Sequence, residues 1–155
     1  PGGYVLFQDS GPANGGQISA PATFHGDWLS TYGAGGSFSA DYSVFTAGQF
    51  QPFPMWVKIT GSGGVIGKNF AGDFSQSIPW STMSVGLAQS NWAVLYGSWS
   101  GCLSSVTDVT IYMPSATSGD EVTGIDNVKV VPEPSSLLVL GLGAFALKTR
   151  RRRII

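Results

Sequence analysis

The chain has 155 residues, which is enough for one domain with a hydrophobic core and too few for two. Its formal net charge of −1 conceals an asymmetry, because the residues before Pro132 include three lysines, no arginine and eight acidic residues, whereas the other five basic residues follow Pro132. This acidic body lacks the basic face that nucleic-acid binding needs, and the single cysteine, Cys102, excludes an intramolecular disulfide and a cysteine-built zinc site.

Short alternating runs between glycine- and serine-rich turns predict β-strands throughout the body. In the clearest run, residues 37–44, the alternation places on one face the side chains of Phe38, Ala40, Tyr42 and Val44. Residues 55–60, 91–96, 106–112 and 124–131 show the same pattern less regularly, and residues 99–105 are predicted to hold one helical turn. Many short strands with glycine-rich connections predict an all-β fold, an antiparallel β-sandwich or jelly roll.

The body offers few groups for catalysis. His25 is the only histidine and lies in a loop-like stretch, and no serine sits in a G-x-S-x-G elbow. Glu121 follows Asp120 in a glycine-rich turn, where adjacent acids are expected to be solvated, so a two-carboxylate cleft is not predicted. We therefore predict no catalytic residue and no enzymatic activity, with Cys102 packed as a small hydrophobe.

Aromatic residues suggest a binding surface as an alternative to core packing. Trp56 and Trp92 lie within alternating runs and are predicted to fill the core. Trp28 and Tyr32 lie in the predicted loop of residues 26–33, bounded by glycines, and are the candidates for an exposed pair that binds a sugar. An inward-packed pair would favour a scaffold instead.

Asp126 is the candidate metal ligand. Strict alternation along the last strand places its side chain on the same face as Val128 and Val130, whereas Asn127 points the other way as a surface residue. A carboxylate at the edge of a core face needs a partner, because burying it unpaired costs several kcal/mol. Backbone N–H groups of a turn are one candidate partner, and a structural Ca²⁺ ion is the other.

The composition changes abruptly after Val131, where Pro132 and Pro134 end any preceding strand. We therefore predict a body of residues 1–131 and a tail of residues 132–155. A single hydrophobic helix in the tail is the predicted membrane anchor, formed by Leu137, Leu138, Val139, Leu140, Leu142, Phe145 and Leu147. As a helix, residues 135–149 would be about 22 Å long, shorter than the hydrocarbon core of about 30 Å.

A block of four arginines closes the tail: Arg150, Arg151, Arg152 and Arg153. Long cationic side chains reach the membrane interface and hold their end of a helix in the cytoplasm, so the body is predicted to lie outside. A core helix would not carry these flanks. The block therefore predicts a short transmembrane helix with a positive stop.

The order of parts in the tail resembles a PEP-CTERM sorting signal: Pro132, Glu133 and Pro134, two serines, the apolar run, and then the arginines. This resemblance implies export in a Gram-negative bacterium and transient anchoring in the inner membrane. It also implies an exosortase as partner, which cleaves near the Pro-Glu-Pro and releases the body to the cell surface or the exopolysaccharide matrix.

Three segments of the body resemble a laminin B (laminin IV type A) domain: APATFHGDWLSTYGAGGSFSADYSVF (20–45), IPWSTMSVGLAQSNWAVLYGSW (78–99) and SGDEVTGIDNVKV (118–130). The resemblance implies a galactose-binding-like jelly roll used in extracellular matrices, without a catalytic set, whose first strand or two precede Gly2. We therefore predict an exported structural or adhesive protein of the biofilm matrix. The alternative is a carbohydrate-binding module for exopolysaccharide.

Overall fold

The computed structural model describes residues 3–9, 16–47, 49–50, 55–70, 76–113, 116–118 and 121–132. These residues form two main antiparallel sheets and one two-stranded sheet in a sandwich-like, mostly β fold, as the alternating runs predicted. The strands are β1 (Val5–Asp9), β2 (Gln17–Ser19), β3 (Ser37–Thr46), β4 (Gln49–Phe50), β5 (Trp56–Gly61), β6 (Gly64–Asn69), β7 (Ile78–Gly86), β8 (Ala93–Gly97), β9 (Val106–Tyr112), β10 (Ala116–Ser118) and β11 (Glu121–Val131). Two short α-helices, α1 (Trp28–Tyr32) and α2 (Trp99–Leu103), and two 3₁₀ turns, Ala22–Phe24 and Gln89–Asn91, lie between them.

The two sheets have different strand orders. The four-stranded sheet runs β1-β11-β3-β7 and the five-stranded sheet runs β2-β9-β5-β6-β8, while β4 pairs with β10. The last strand, β11, therefore lies between β1 and β3, and its Val5↔Ile125 and Val130↔Phe38 pairs join the two ends of the body. The four-stranded sheet is therefore complete only after its last strand in the chain, β11, has paired.

The core forms where the alternation of the strands turns apolar side chains inward. Val57 and Ile59 of β5 are fully buried, as is Val109 of β9, and Phe38 of β3 faces them as part of the same core cluster. The predicted strands at residues 37–44 and 106–112 are confirmed as β3 and β9, and Trp92 is buried as predicted.

The helical turn predicted at residues 99–105 is confirmed as α2. Ser98 caps it, because its Oγ accepts a hydrogen bond from the backbone N–H of Gly101 (3.0 Å). Cys102 of this helix is fully buried, its Sγ donates to the carbonyl oxygen of Ile59 (3.3 Å), and burial raises the pKa of its thiol to about 11. The thiol is therefore protonated near neutral pH and packs as a small hydrophobe.

Glu121 differs from the sequence prediction. It begins β11 instead of lying in a solvated turn, and the two-residue period of the strand puts it on the inward face with Thr123, so that both side chains are fully buried. The hydroxyl of Thr123 donates a hydrogen bond to Glu121 Oε1 (2.7 Å), which offsets part of the cost of burying the carboxylate.

No helix among the described residues combines the length and apolar character needed to cross a membrane. The predicted anchor helix and arginine block belong to residues 133–155, which lie outside the described residues.

Gly61 allows α2 to pack directly on β5, and this contact should be sensitive to a single methyl group. A Cβ at Gly61 would lie 2.1 Å from the carbonyl oxygen of Cys102 and 2.8 Å from its Cα, so backbone would have to move. We expect Gly61→Ala to lower the free energy of unfolding by about 2 kcal/mol or more, measured by urea denaturation.

Gly67→Ala is the matched control for this substitution. Gly67 is also a glycine in the five-stranded sheet, but a Cβ there meets only side-chain atoms, Trp56 Cζ3 at 3.0 Å and Leu95 Cδ1 at 3.2 Å, which can rotate away. Equal losses of stability in the two variants would show that α2 does not pack against the backbone of β5 as described.

Candidate functional site

The Gly-Asp-Trp segment forms a helix where a loop was predicted. Asp27 caps α1, because its Oδ1 accepts a hydrogen bond from the backbone N–H of Ser30 (2.9 Å). Thr31 Oγ1 also donates to the backbone oxygen of Asp27 (2.7 Å), and the helix ends at Gly33 with a φ of 70°. The segment is therefore a fixed turn whose side-chain directions follow the helix.

The predicted exposed pair, Trp28 and Tyr32, is not an exposed platform. Trp28 is only 2% exposed, and its Nε1 donates a hydrogen bond to the backbone oxygen of Phe24 (2.7 Å). Tyr32 is half-buried and contacts the indole edge-on, with ring centroids 6.0 Å apart. The first turn of α1 directs Trp28 into the core, so the predicted exposure of this pair is wrong, and its inward packing favours the scaffold interpretation.

His25 lies on the exposed connection between the Ala22–Phe24 turn and α1. Its backbone N–H donates to the carbonyl oxygen of Ala22 (3.0 Å), which closes the turn, and its side chain is directed to solvent. The exposed loop position predicted for the only histidine is therefore confirmed.

Asp126 lies at a β-bulge that the sequence pattern did not reveal. Asp126 pairs with Asp41, but Lys129 pairs with Ser39, so three steps along β11 match two steps along β3. Asn127 takes up the extra residue with a φ of 50°. Asp126 therefore shares its face with Lys129, and the prediction that it lies on the face of Val128 and Val130 is wrong.

The carboxylate of Asp126 has the backbone partner that was one of its two predicted alternatives. Its Oδ1 accepts a hydrogen bond from the N–H of Asn127 (2.7 Å). Asn127 is exposed, as predicted, and its Nδ2 donates to Asp41 Oδ2 (2.8 Å), while Thr82 Oγ1 donates to Asp41 Oδ1 (2.6 Å). Asp41, Thr82 and Asn127 thus form a polar row across three strands of the outward face of the four-stranded sheet.

These hydrogen bonds act on the charge of Asp41. The donors Thr82 and Asn127, with a smaller contribution from the positive charge of Lys129, hold the pKa of Asp41 below its ordinary value of 3.8. Asp41 therefore remains ionised at neutral pH. The carboxylate oxygens of the row already accept hydrogen bonds from the protein.

A calcium ion at Asp126 fits this arrangement poorly. Ca²⁺ binds about six to eight oxygen ligands, and several of these usually come from carboxylates. Among the described residues no group of three or more acidic, histidine or cysteine side chains is placed to hold a metal ion. Hydrogen bonding accounts for Asp126 Oδ1 and for both carboxylate oxygens of its register partner Asp41.

An exposed aromatic cluster lies on the same outward face. We call Tyr4, Phe45 and Trp80 the aromatic platform; they are 49%, 41% and 43% exposed. The distance between ring centroids is 5.3 Å from Trp80 to Tyr4 and 5.8 Å from Trp80 to Phe45. Tyr4 stands at 70° and Phe45 at 80° to the indole plane, so the three rings form a corner.

Gly124 is the floor of the aromatic platform. A Cβ at Gly124 would lie 2.9 Å from Phe45 Cε2 and 3.0 Å from Trp80 Cη2. Trp80 belongs to β7 and Gly124 to β11, with β3 between them, so the indole reaches across β3 at the level of Ser43, the register partner of Gly124. A side chain at this position would therefore displace one or both rings from their present places.

A second aromatic pair, on the other sheet, is built differently. Trp56 and Tyr112 stack with centroids 4.6 Å apart and planes at 17°, and Lys58 Nζ donates to the hydroxyl of Tyr112 (2.8 Å). Stacked rings cover each other's faces, whereas rings set at steep angles leave faces open. The aromatic platform is therefore the better candidate for binding.

A cleft of about 220 Å³ opens between the sheets, where β1 and β11 approach β2 and β9. Its walls are mostly apolar and include Ile18, Ile111 and Ile125, while Asp126 and Asn127 also line it. The cleft is small, and the polar groups at the bulge already bond to one another.

The predicted sorting motif continues directly from the last strand. β11 ends at Val131 and is followed by Pro132, which is half-buried. The other predicted tail residues lie outside the described residues: Glu133, Pro134, the anchor residues Leu137, Leu138, Val139, Leu140, Leu142, Phe145 and Leu147, and Arg150 to Arg153. The body thus runs into the motif without an intervening linker.

Comparisons with known proteins support both the predicted sorting signal and the predicted fold of the body. Residues 130–153 match the PEP-CTERM protein-sorting motif, so the predicted sorting signal is confirmed. Among solved structures, the chain is similar to the L4b domain of human laminin alpha-2, with a TM-score of 0.56, 13% identity and coverage of 71% of this chain and 66% of that domain. This likeness confirms the predicted laminin-type fold of the body.

The chain is also similar to an exo-beta-agarase, with a TM-score of 0.49, 14% identity and coverage of 84% of this chain and 23% of that protein. It therefore spans about two thirds of the laminin domain and less than a quarter of the agarase. No curated protein matches the sequence.

The hydrogen bond from Thr82 to Asp41 should make stability depend on acid pH. A lowered pKa in the folded protein stabilises it above the ordinary pKa of 3.8, and this contribution is lost as the pH falls through the folded-state pKa. We expect Thr82→Val to melt at a lower temperature than wild type near neutral pH, with the difference shrinking in strong acid.

Ser84→Ala is the control, because Ser84 is an exposed hydroxyl two residues along the same strand. Its difference from wild type should not depend on pH. A pH-independent effect of Thr82→Val would contradict the lowered pKa of Asp41.

If Asp126 acts through hydrogen bonding, its substitution should destabilise the protein without involving calcium. Asp126→Ala should lower the melting temperature, because it removes the acceptor for the N–H of Asn127. Calcium chloride, compared with magnesium chloride and a chelator, should leave the melting temperatures of both proteins unchanged. A calcium-specific rise in wild type that Asp126→Ala abolishes would instead establish a bound ion.

Proposed function

We propose that this chain is an exported surface protein with a structural or adhesive role, delivered by its C-terminal sorting motif. The observation that carries the proposal is the match of residues 130–153 to the PEP-CTERM protein-sorting motif, starting within the last strand of a laminin-like sandwich. The sorting motif therefore follows the folded body directly in the chain.

The proposed role of the tail follows from its chemistry. The apolar run from Leu137 to Leu147 inserts as a short helix into the inner membrane of a Gram-negative bacterium. Arg150 to Arg153 hold its end in the cytoplasm, and their long side chains extend its reach. The body, which has eight acidic residues and three lysines before Pro132, then lies on the outer side.

An exosortase is the proposed partner that removes the tail near Pro132, Glu133 and Pro134. The position of the motif supports this, because β11 completes its pairing with β3 at Val131 and the prolines cannot extend the ladder. Cleavage after the strand releases a body whose four-stranded sheet is intact. The released body joins the cell surface or the extracellular, biofilm-type matrix.

We further propose a non-catalytic role for the body. The sole histidine, His25, is on an exposed connection, and the sole cysteine, Cys102, is buried with a raised pKa. The laminin-like fold supports assembly or adhesion instead. Function therefore resides in the surface of the sandwich.

The proposal is tested by following processing and localisation in a bacterium that has an exosortase. Replacing Pro132, Glu133 and Pro134 together by alanine should leave an uncleaved, membrane-bound protein, seen as a larger band in the membrane fraction. Replacing Arg150 to Arg153 by glutamine should impair retention or orientation, because the positive stop is lost.

Ser84→Ala, with an intact tail, controls for expression of a body variant and should be processed as wild type. Normal cleavage and release of both tail variants would overturn the proposed route.

A further inference from the structure

The aromatic platform and the polar row share one face of the four-stranded sheet. Gly124 and Asp126 of β11 pair with Ser43 and Asp41 of β3, so all four positions face outward. We propose that this face binds neutral, β-linked hexopyranose units of a polysaccharide, with a sugar ring against Trp80. This inference rests on the proposed function only in that a surface protein would encounter an extracellular polysaccharide. Sugar binding itself can be measured independently of export.

The corner formed by the three rings suits a pyranose. A β-linked hexopyranose is flat and presents axial C–H groups from its ring face, while an aromatic ring has a negative face. Because Tyr4 and Phe45 stand at 70° and 80° to the indole, a sugar that covers one ring face also contacts the edge of another. Such contact holds the sugar in one position without a deep pocket.

The polar row supplies partners for sugar hydroxyls. Asp41 lies two residues from Ser43 along β3, so the row is about 7 Å from the level of the platform. Each carboxylate oxygen of Asp41 accepts one protein hydrogen bond and has a further lone pair to accept from a hydroxyl. The platform and row together span about two linked sugars.

The size of the patch argues against a second copy of the chain as its occupant. Three rings that are 41–49% exposed, together with Leu6, which pairs with Gly124 and is 53% exposed, present about 400 Å² in total. A stable protein interface buries about 800 Å² on each partner, so the rings and Leu6 fall well short of a dimer surface. A few sugar units match the patch better.

The negative charge of the body indicates which class of polysaccharide can bind. Asp41 lies on the same face as the platform, and the body carries eight acidic residues against three lysines before Pro132. An anionic polymer would be repelled at short range, whereas a neutral hexose polymer is not. The predicted ligand is therefore neutral.

The test measures binding of cellohexaose, laminarihexaose and maltohexaose to the full chain by calorimetry. The protein is kept in a detergent without a sugar headgroup, and alginate serves as the anionic probe. We expect one of the β-linked oligosaccharides to bind more tightly than the α-linked maltohexaose and more tightly than alginate.

Two substitutions locate the binding at the platform. Trp80→Ala removes the central ring and should weaken binding at least about tenfold. Gly124→Ala keeps all three rings but pushes Phe45 and Trp80 apart, so it should also weaken binding while the protein remains folded by circular dichroism. Tyr96→Ala is the matched control, because Tyr96 is 76% exposed on the other sheet, and it should bind as wild type.

Several results would overturn the inference. They are absence of binding to both β-linked hexaoses, tighter binding of maltohexaose or alginate, and binding that Trp80→Ala leaves unchanged. Self-association of wild type that Trp80→Ala abolishes, without sugar binding, would show that the platform joins two copies. Processing of Trp80→Ala should remain normal, so failure of the sugar inference is distinguishable from failure of the proposed export route.

Discussion

The pairing of β11 with both β1 and β3 is the constraint on which the four-stranded sheet depends. β11 contributes eleven residues to the middle of that sheet, whereas β1 has no other strand partner in the described structure. Its inward side chains, Thr123 and Ile125, are buried, and its outward Gly124 lies beneath the aromatic rings. One strand therefore supports the core on one face and the candidate binding surface on the other.

This arrangement bears on export because β11 is also the strand that leads into the sorting motif. A sheet whose central strand comes last cannot be completed until that strand is available, since backbone groups of β1 and β3 lack their partners before then. Under the proposed route, the body completes its fold only after residues up to Val131 have crossed the membrane. An anchored tail keeps the chain at that place while the strand pairs.

Alternation alone predicted the strands that bury one face, such as β3 and β9, because a period of two leaves a clear pattern where only one face is buried. It did not predict the directions of individual side chains near local irregularities. The cap at Asp27 turns Trp28 inward, and one extra residue at Asn127 reverses the face of everything after Asp126. Both effects depend on a single residue.

The aromatic platform shows how much of a site sequence alone can locate. Phe45 falls on the polar face when the alternation of β3 is continued by one residue beyond Val44, which marks it as an exposed aromatic. Its meeting with Trp80 and Tyr4 depends on strand order and on an irregular register between β3 and β7, neither of which leaves a signal in one sequence. The pairing of strands that are distant in sequence is therefore needed to locate this cluster.

The same strand also separates the proposed binding surface from the start of the tail. Gly124 and Val131 are seven residues apart on β11, which corresponds to about 23 Å of extended strand between the floor of the platform and the start of the tail. Under the proposed route, the rings therefore lie seven residues along the strand from the residue that leads into the tail. Removal of the tail changes neither the floor nor the rings, so a platform that binds sugar while anchored keeps that ability after release.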